Sequence, residues 1–170
     1  MKFINKYLNE TKIIIDLIDK GQLVKIINLI VDIRVNKGRM FIIGVGGGAG
    51  HASHAVNDFR KICGIEAYTP TDNVSELTAR VNDEGWETAY MNWLKGSKIN
   101  QNDMVFVFSV GGGHLEKNIS ANIVRSLELA QKVGAKISGV VGRDGGYTAQ
   151  VADACVVIAP VNDETITPHT

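Results

Sequence analysis

Cysteine is scarce in this chain: Cys63 and Cys155 are the two in 170 residues, far apart and each among apolar neighbours. That spacing favours buried free thiols over a disulfide framework or a zinc motif, and so a reducing cytoplasm. Charge of one sign is also missing. Lys plus Arg number 18 and Asp plus Glu number 18, so the overall balance points to no nucleic-acid groove, no anionic membrane surface and no acidic tail. No apolar run approaches the ~20 residues of a membrane-spanning helix, and the N-terminus lacks the charged, apolar and cleavage regions of a signal peptide. Repeats, low-complexity tracts and linkers are likewise not found. What is left is a chain of a length that suits one domain, able to bury roughly two thirds of the surface it exposes when unfolded.

Residues 3–35 carry apolar side chains at helical spacing, including Ile14, Leu17 and Ile18, then Leu23, Ile26, Ile27 and Ile30, with Gly21 as the expected break. Two helices are predicted to open the chain. Their wide apolar stripes call for cover from the core or from another subunit. From Arg39 onward short β-rich runs alternate with helical stretches, the pattern of an α/β fold. Strands are predicted at 40–43, 104–108, 137–141 and 155–158, with a weaker candidate at 65–68. Helices are expected at 49–62, 84–94 and 119–133, with a short one near Thr148. Only Ala159 to Thr170 follow the last run, which is short for the closing helix of a doubly wound sheet.

Two glycine-rich corners follow predicted strands: Gly44-Val45-Gly46-Gly47-Gly48-Ala49-Gly50 and Ser109-Val110-Gly111-Gly112-Gly113. In parallel α/β sheets ligands bind at the carboxyl ends of strands, where helix N-termini favour anions, and glycine lets backbone approach a ligand closely. Tight turns without a ligand explain one such corner as well as a site does; a pair of them favours the site. The first corner also fits the G-x-G-x-x-A dinucleotide pattern, with Glu66 at a distance suited to holding a ribose, so a dinucleotide-binding domain is a rival. His51, His54 and Asp58 fall at i, i+3 and i+7 of the following helix and share one face. Such a set suits metal ligation or the acid and base that move protons between sugar carbons; a solvated polar face is the alternative. Asn82-Asp83 reads as a polar turn in which Asp83 caps the next helix. Arg143-Asp144-Gly145-Gly146 reads as a sterically determined turn, and Trp86, Trp93 and Tyr147 as core or interface aromatics.

Taken together these stretches resemble the sugar-isomerase (SIS) domain family, and within it the phosphoheptose isomerases. The likeness runs through the N-terminal helical arm (residues 1–36), Gly44-Val45-Gly46-Gly47 for the family's Gly-Asn-Gly-Gly, Asn82-Asp83, Ser109 opening the phosphate loop, Ser120-Ala121-Asn122 and Gly142-Arg143-Asp144-Gly145-Gly146. It implies a single three-layer, doubly wound domain with a mostly parallel five-stranded sheet of flavodoxin type. It also implies a homotetramer or homodimer, and conversion of sedoheptulose 7-phosphate to a manno-heptose 7-phosphate for bacterial surface-heptose synthesis. By the same resemblance His54 and Asp58 are zinc ligands, Asp58 is also the base, and Asp83 positions sugar hydroxyls. Val45, Gly46, Gly47, Gly48, Asn82, Ser109, Val110, Gly111 and Ser120 bind substrate.

The chain departs from that pattern. Asp58 is one methylene shorter than the family's glutamate, Gly48 stands where serine is usual, and Val110 and Gly111 replace hydroxyl residues. An apparent insertion at 114–118 precedes Ser120. The family's closing helix supplies a further acid, for which His169 and His114 are candidates here. A non-catalytic SIS module that binds a sugar phosphate or a protein partner is the alternative to the isomerase.

Overall fold

The computed structural model describes residues 1–162 and 164–165. Apart from the short edge strand Glu66–Tyr68, whose outer residues are exposed, its strands follow the continuous apolar runs, which are covered on both sides. They are β1 (Arg39–Gly44), β2 (Glu66–Tyr68), β3 (Met104–Ser109), β4 (Lys136–Val141) and β5 (Ala154–Val157), paired in parallel in the order β2-β1-β3-β4-β5. The predicted doubly wound α/β architecture is therefore what forms, including the weak second strand. The strand order reverses direction between β1 and β3, where crevices open at the carboxyl ends.

Alternation along each strand divides the core between two faces. Met40, Ile42, Met104, Phe106 and Val156 meet Ile14, Ile26, Ile33, Ala52 and Val56 on one side. These come from α1 (Lys2–Leu17), α2 (Lys20–Val35) and α3 (Gly47–Lys61). Phe41, Ile43, Val105, Val107 and Ile137 meet Tyr90, Trp93, Leu94, Ile123 and Leu127 on the other. The helices there include α4 (Val74–Glu84), α5 (Trp86–Gly96), α6 (Ala121–Val133) and α7 (Gly146–Val151). Trp93 is the expected core aromatic, its ring edge-on to Phe41 at 5.5 Å, whereas Trp86 stays 42% exposed. Cys63 and Cys155 are free but half-buried rather than buried, and burial pushes the Cys155 thiol up to about 11. Among the described residues no helix is long and apolar enough to cross a membrane.

Three local expectations need correction. The first break falls at Ile18–Asp19 and not at Gly21, because the Asp19 carboxylate accepts the Gln22 N–H at 3.0 Å and caps α2, leaving Gly21 inside its first turn. Asn82 and Asp83 are not a turn ahead of a helix but the last turn of α4. This helix buries no residue completely, so its apolar signal is faint. The sequence did carry its start: Asn73 caps the Glu76 N–H at 3.2 Å, a capping arrangement with an acid three residues on. Asp83 consequently does not cap α5, whose N-cap is Gly85 at φ 84°. Finally, α6 starts at Ala121 instead of Ile119, after Ser120 in a left-handed conformation.

The amino end of the sheet is tied by one polar group. Asp103, only 1% exposed, accepts from Arg39 N (3.1 Å), Nε (3.0 Å) and Nη2 (2.7 Å) and from Asn100 N (2.9 Å). Removing it takes the carboxylate from the Arg39 guanidinium, which keeps the Ser97 and Lys98 carbonyls at 2.9 and 3.1 Å, and leaves the Arg39 and Asn100 amides without an acceptor. Asp103→Ala is expected to cost about 3–5 kcal/mol, the usual loss when one partner of a buried charged pair is deleted, measured by urea unfolding. A loss under about 1 kcal/mol would show that water replaces the carboxylate there.

Candidate functional site

The first glycine corner is built by close approach. β1 ends at Gly44, whose carbonyl accepts the Tyr90 hydroxyl at 2.9 Å; burial pushes that phenol up to about 12, so it remains a donor. Gly46, at φ 60°, turns the chain into α3. A side chain at Gly44 would strike the backbone of Gly48, and one at Gly48 would strike the Phe108 carbonyl. The turn uses the Gly48 and Ala49 N–H groups, which donate to Val45 O (3.1 Å) and Gly46 O (3.0 Å). Among the described residues no acceptor takes the N–H of Val45, Gly46 or Gly47.

The second corner is pinned against the third turn, Gly142-Arg143-Asp144-Gly145-Gly146, and the start of α7. The Ser109 Oγ accepts the Gly112 N–H at 3.1 Å. The Gly112 carbonyl accepts from Thr148 N at 2.9 Å and Thr148 Oγ1 at 2.7 Å, and the Gly113 carbonyl accepts from Tyr147 N at 2.8 Å. A Cβ on Gly112 would strike the Gly145 carbonyl, and one on Gly146 the carbonyls of Gly111 and Gly113. The Asp-Gly-Gly turn is thus steric, as expected, and the backbone it makes room for is the second loop. Val110, Gly111 and Gly113 keep N–H groups without an acceptor among the described residues. The insertion forms a closed hairpin: His114 and Ile119 exchange backbone bonds of 2.9 and 3.1 Å, and His114 Nδ1 accepts the Lys117 N–H at 3.2 Å.

Both corners open into one cavity of about 330 Å³, lined by Val45, Gly47, Gly48, His51, Phe108, Ser109, Val110, Gly111, Ile119, Ser120 and Arg143. Seven expected substrate-binding residues are therefore brought together, with Gly46 as the bend that connects them. Arg143 is the lining residue that the sequence reading assigned only to a turn; a cation next to glycines at the end of a strand was the available signal. A neighbouring cavity of about 480 Å³ holds His54, Asp58, Phe59 and Cys63. It meets the first at His51 and Phe108, whose rings stand edge to face at 5.9 Å. His54 Nε2 lies 3.3 Å from Asp58 Oδ2, with the imidazole largely in solvent. Asn82 and Asp83 are exposed, bonded to each other at 2.7 Å, and line neither cavity. His169 lies outside the described residues.

The donor set does not complete a zinc site. His54 and Asp58 offer two ligands, and among the described residues no group of three His, Cys, Asp or Glu is placed to hold a metal, where tetrahedral zinc takes three or four protein ligands. A larger cavity of about 600 Å³ lies by the edge strand β2 and contains Glu66. Its polar groups are already committed, Arg60 to the Ala67 carbonyl at 3.1 Å and Glu66 to the Tyr68 hydroxyl at 3.0 Å. The smaller cavity at the switch point is the better ligand site.

The chain is 30% identical over 146 residues to a probable phosphoheptose isomerase of Thermoplasma volcanium, covering 83% of this chain and 71% of that protein. The chain belongs to the phosphoheptose isomerase family. The phosphoheptose isomerase of Helicobacter pylori (strain Shi470) is 27% identical over 139 residues, 78% of this chain and 68% of that one. The solved structure of the phosphoheptose isomerase of Neisseria gonorrhoeae superposes with a TM-score of 0.82 at 21% identity, over 98% of this chain and 91% of the other, and so shares the fold. No protein-family model matches the chain. Phosphoheptose isomerases are aldose–ketose isomerases, and this membership argues against a dinucleotide-binding domain.

The contacts of Gly48 give a test. Gly48→Ser, which would bring in the hydroxyl usual in the family, is expected to destabilise by about 2 kcal/mol or more through collision with the Phe108 carbonyl. Gly47→Ser, which meets nothing within 4 Å, is expected to cost under about 1 kcal/mol. Thermal unfolding of both variants decides it, and equal losses would show that the first corner is not closely packed.

Proposed function

We propose that this protein isomerises a phosphorylated sugar, sedoheptulose 7-phosphate to a manno-heptose 7-phosphate, at the switch point between β1 and β3. One observation supports the reading above others: backbone N–H groups without an acceptor among the described residues, those of Val45 and Gly47 and those of Val110 and Gly111, border a single cavity. Fixed amides suit a phosphate because they need no reorganisation to meet it. The Ser109 hydroxyl, which accepts from Gly112, keeps its own proton to donate. Ser120, which also lines the cavity, supplies a second hydroxyl. Anchoring the phosphate there directs the sugar chain past Phe108 and His51 towards His54 and Asp58.

In that position the Asp58 carboxylate takes a proton from C1 of the ketose. The C–H electrons form the C1–C2 double bond while the C2 oxygen gains a proton, giving an enediol. Loss of the O1 proton and protonation at C2 then give the aldose. His54, bonded to Asp58, holds the carboxylate and exchanges protons with the sugar oxygens. In the family reading Asp83 and Asn82 orient sugar hydroxyls, and zinc would polarise the carbonyl, with His54 and Asp58 as two of its ligands; no step above depends on it. The free thiols suit a reducing cytoplasm.

Asp58→Asn is expected to lower turnover by about 10²–10⁴-fold, the range for a positioned base, with sugar-phosphate affinity within a few-fold of wild type. Solvent exchange of the C1 and C2 protons, followed by NMR, measures this independently of product detection. Binding of sedoheptulose 7-phosphate without any exchange would instead favour a non-catalytic binding module, a reading that the hydroxyl-free Val110 and Gly111 support.

A homodimer or homotetramer is part of the same proposal. Phe3 (69%), Leu8 (54%), Leu17 (58%), Val24 (55%), Ile27 (50%) and Val35 (72%) lie exposed along α1 and α2, more apolar surface than isolated side chains explain. Light scattering at micromolar concentration is expected to give twice or four times the chain mass. A monomer there would end the proposal.

A further inference from the structure

The amide cradle is neutral, whereas a phosphate monoester carries close to two negative charges at pH 7. Hydroxyl side chains are sparse on the second loop, where Val110 and Gly111 offer none. We infer that Arg143 supplies the missing charge, binding the phosphate of the ligand and selecting phosphorylated over free sugar; the inference rests on the phosphate lying between the two glycine corners.

Three observations lead there. Arg143 lines the cavity beside the open amides of Val110 and Gly111, its Cδ 3.9 Å from where a Gly111 side chain would begin. Its guanidinium has no acceptor among the described residues, while those of Arg39, Arg60, Arg80 and Arg125 each have one; Arg34 on α2 also has none, but it lies exposed and lines none of these cavities. The adjoining Asp144 carboxylate is turned back to accept the Gly146 N–H at 3.1 Å. The third observation is the backbone. Arg143 sits at φ 53°, in the left-handed region, where glycine is the undemanding choice. It is held there because Gly142 N donates to Ser109 O at 3.2 Å and Gly145 N to Gly142 O at 2.9 Å. Ser120, which lines the same cavity, is also left-handed at φ 50°. Such conformations gather at ligand sites, where surrounding structure enforces them. A planar guanidinium suits phosphate because it donates two parallel N–H bonds.

Calorimetric titration with sedoheptulose 7-phosphate and with unphosphorylated sedoheptulose tests this on wild type, Arg143→Gln, Arg143→Gly, Arg143→Lys and Lys117→Gln. Arg143→Gln and Arg143→Gly are expected to weaken phosphate-ester binding about tenfold or more, from loss of charge-assisted bonds, without altering the response to free sugar. Arg143→Lys is expected to keep part of the affinity. Arg143→Gly relieves the backbone, so its melting temperature is expected to equal or exceed that of wild type. A merely structural role would instead make affinity follow stability. Lys117 lines the adjoining cleft with Arg143 but not the phosphate cavity, and its loss is expected to change affinity less than threefold. Wild-type affinity in Arg143→Gly, or an equal loss in Lys117→Gln, would overturn the inference while leaving the isomerase reading intact. Failure of the wild-type protein to bind the sugar phosphate at all would overturn both.

Discussion

The site depends on backbone meeting backbone without side chains between. Gly48 lies against the Phe108 carbonyl, Gly112 against Gly145, and Gly146 against Gly111 and Gly113. These contacts draw the ends of β1, β3 and β4 together until their turns form one wall. Side chains at those positions would force the strands' ends apart and leave amides facing in different directions. The apolar faces of the sheet supply the stability for this arrangement, since the open amides and the left-handed residues around them contribute none.

The same constraint explains how the chain departs from its family without losing the cavity. Gly48 carries no hydroxyl because there is no room for one above Phe108, and in the proposed function recognition then falls to N–H groups that the fold itself orients. Val110 and Gly111 likewise bring no hydroxyl to the second loop, although a side chain on Gly111 would meet only Arg143 Cδ at 3.9 Å. Charge is left to Arg143, which enters from the third turn and not from either phosphate loop. The hairpin from His114 to Ile119 closes the opposite side by bonding to itself, and Asn118 reaches Glu87 on α5 at 2.6 Å. In the proposed function chemistry is separated from anchoring: His54 and Asp58 lie one cavity away, across His51 and Phe108, so binding and proton transfer can change independently.

Composition and periodicity made the α/β class legible, because buried parallel strands are written as continuous apolar runs and glycine marks their ends. β1, β3, β4 and β5 were found within a residue or so for that reason. α4 was missed because its packing face is only Leu77 and Val81, half-covered, and a short half-buried helix carries little periodic signal. Gly21 does not break the helices because the deciding feature is the carboxylate of Asp19 on the Gln22 amide.

The sequence by itself determined the order of the elements, the positions of the glycine corners, and the residue types available for acid–base work at His54 and Asp58. The helix period alone puts those two on one face, and the structure only adds their 3.3 Å contact. Tertiary structure decided which corners meet. That β1 and β3 are neighbours follows from sheet order, a long-range property that no local window contains. It also decided that Asn82 and Asp83 turn away from both cavities within this chain, and that Arg143 turns into one. A turn's sequence states that the backbone can bend there. Which cavity its side chain faces depends on strands more than thirty residues away.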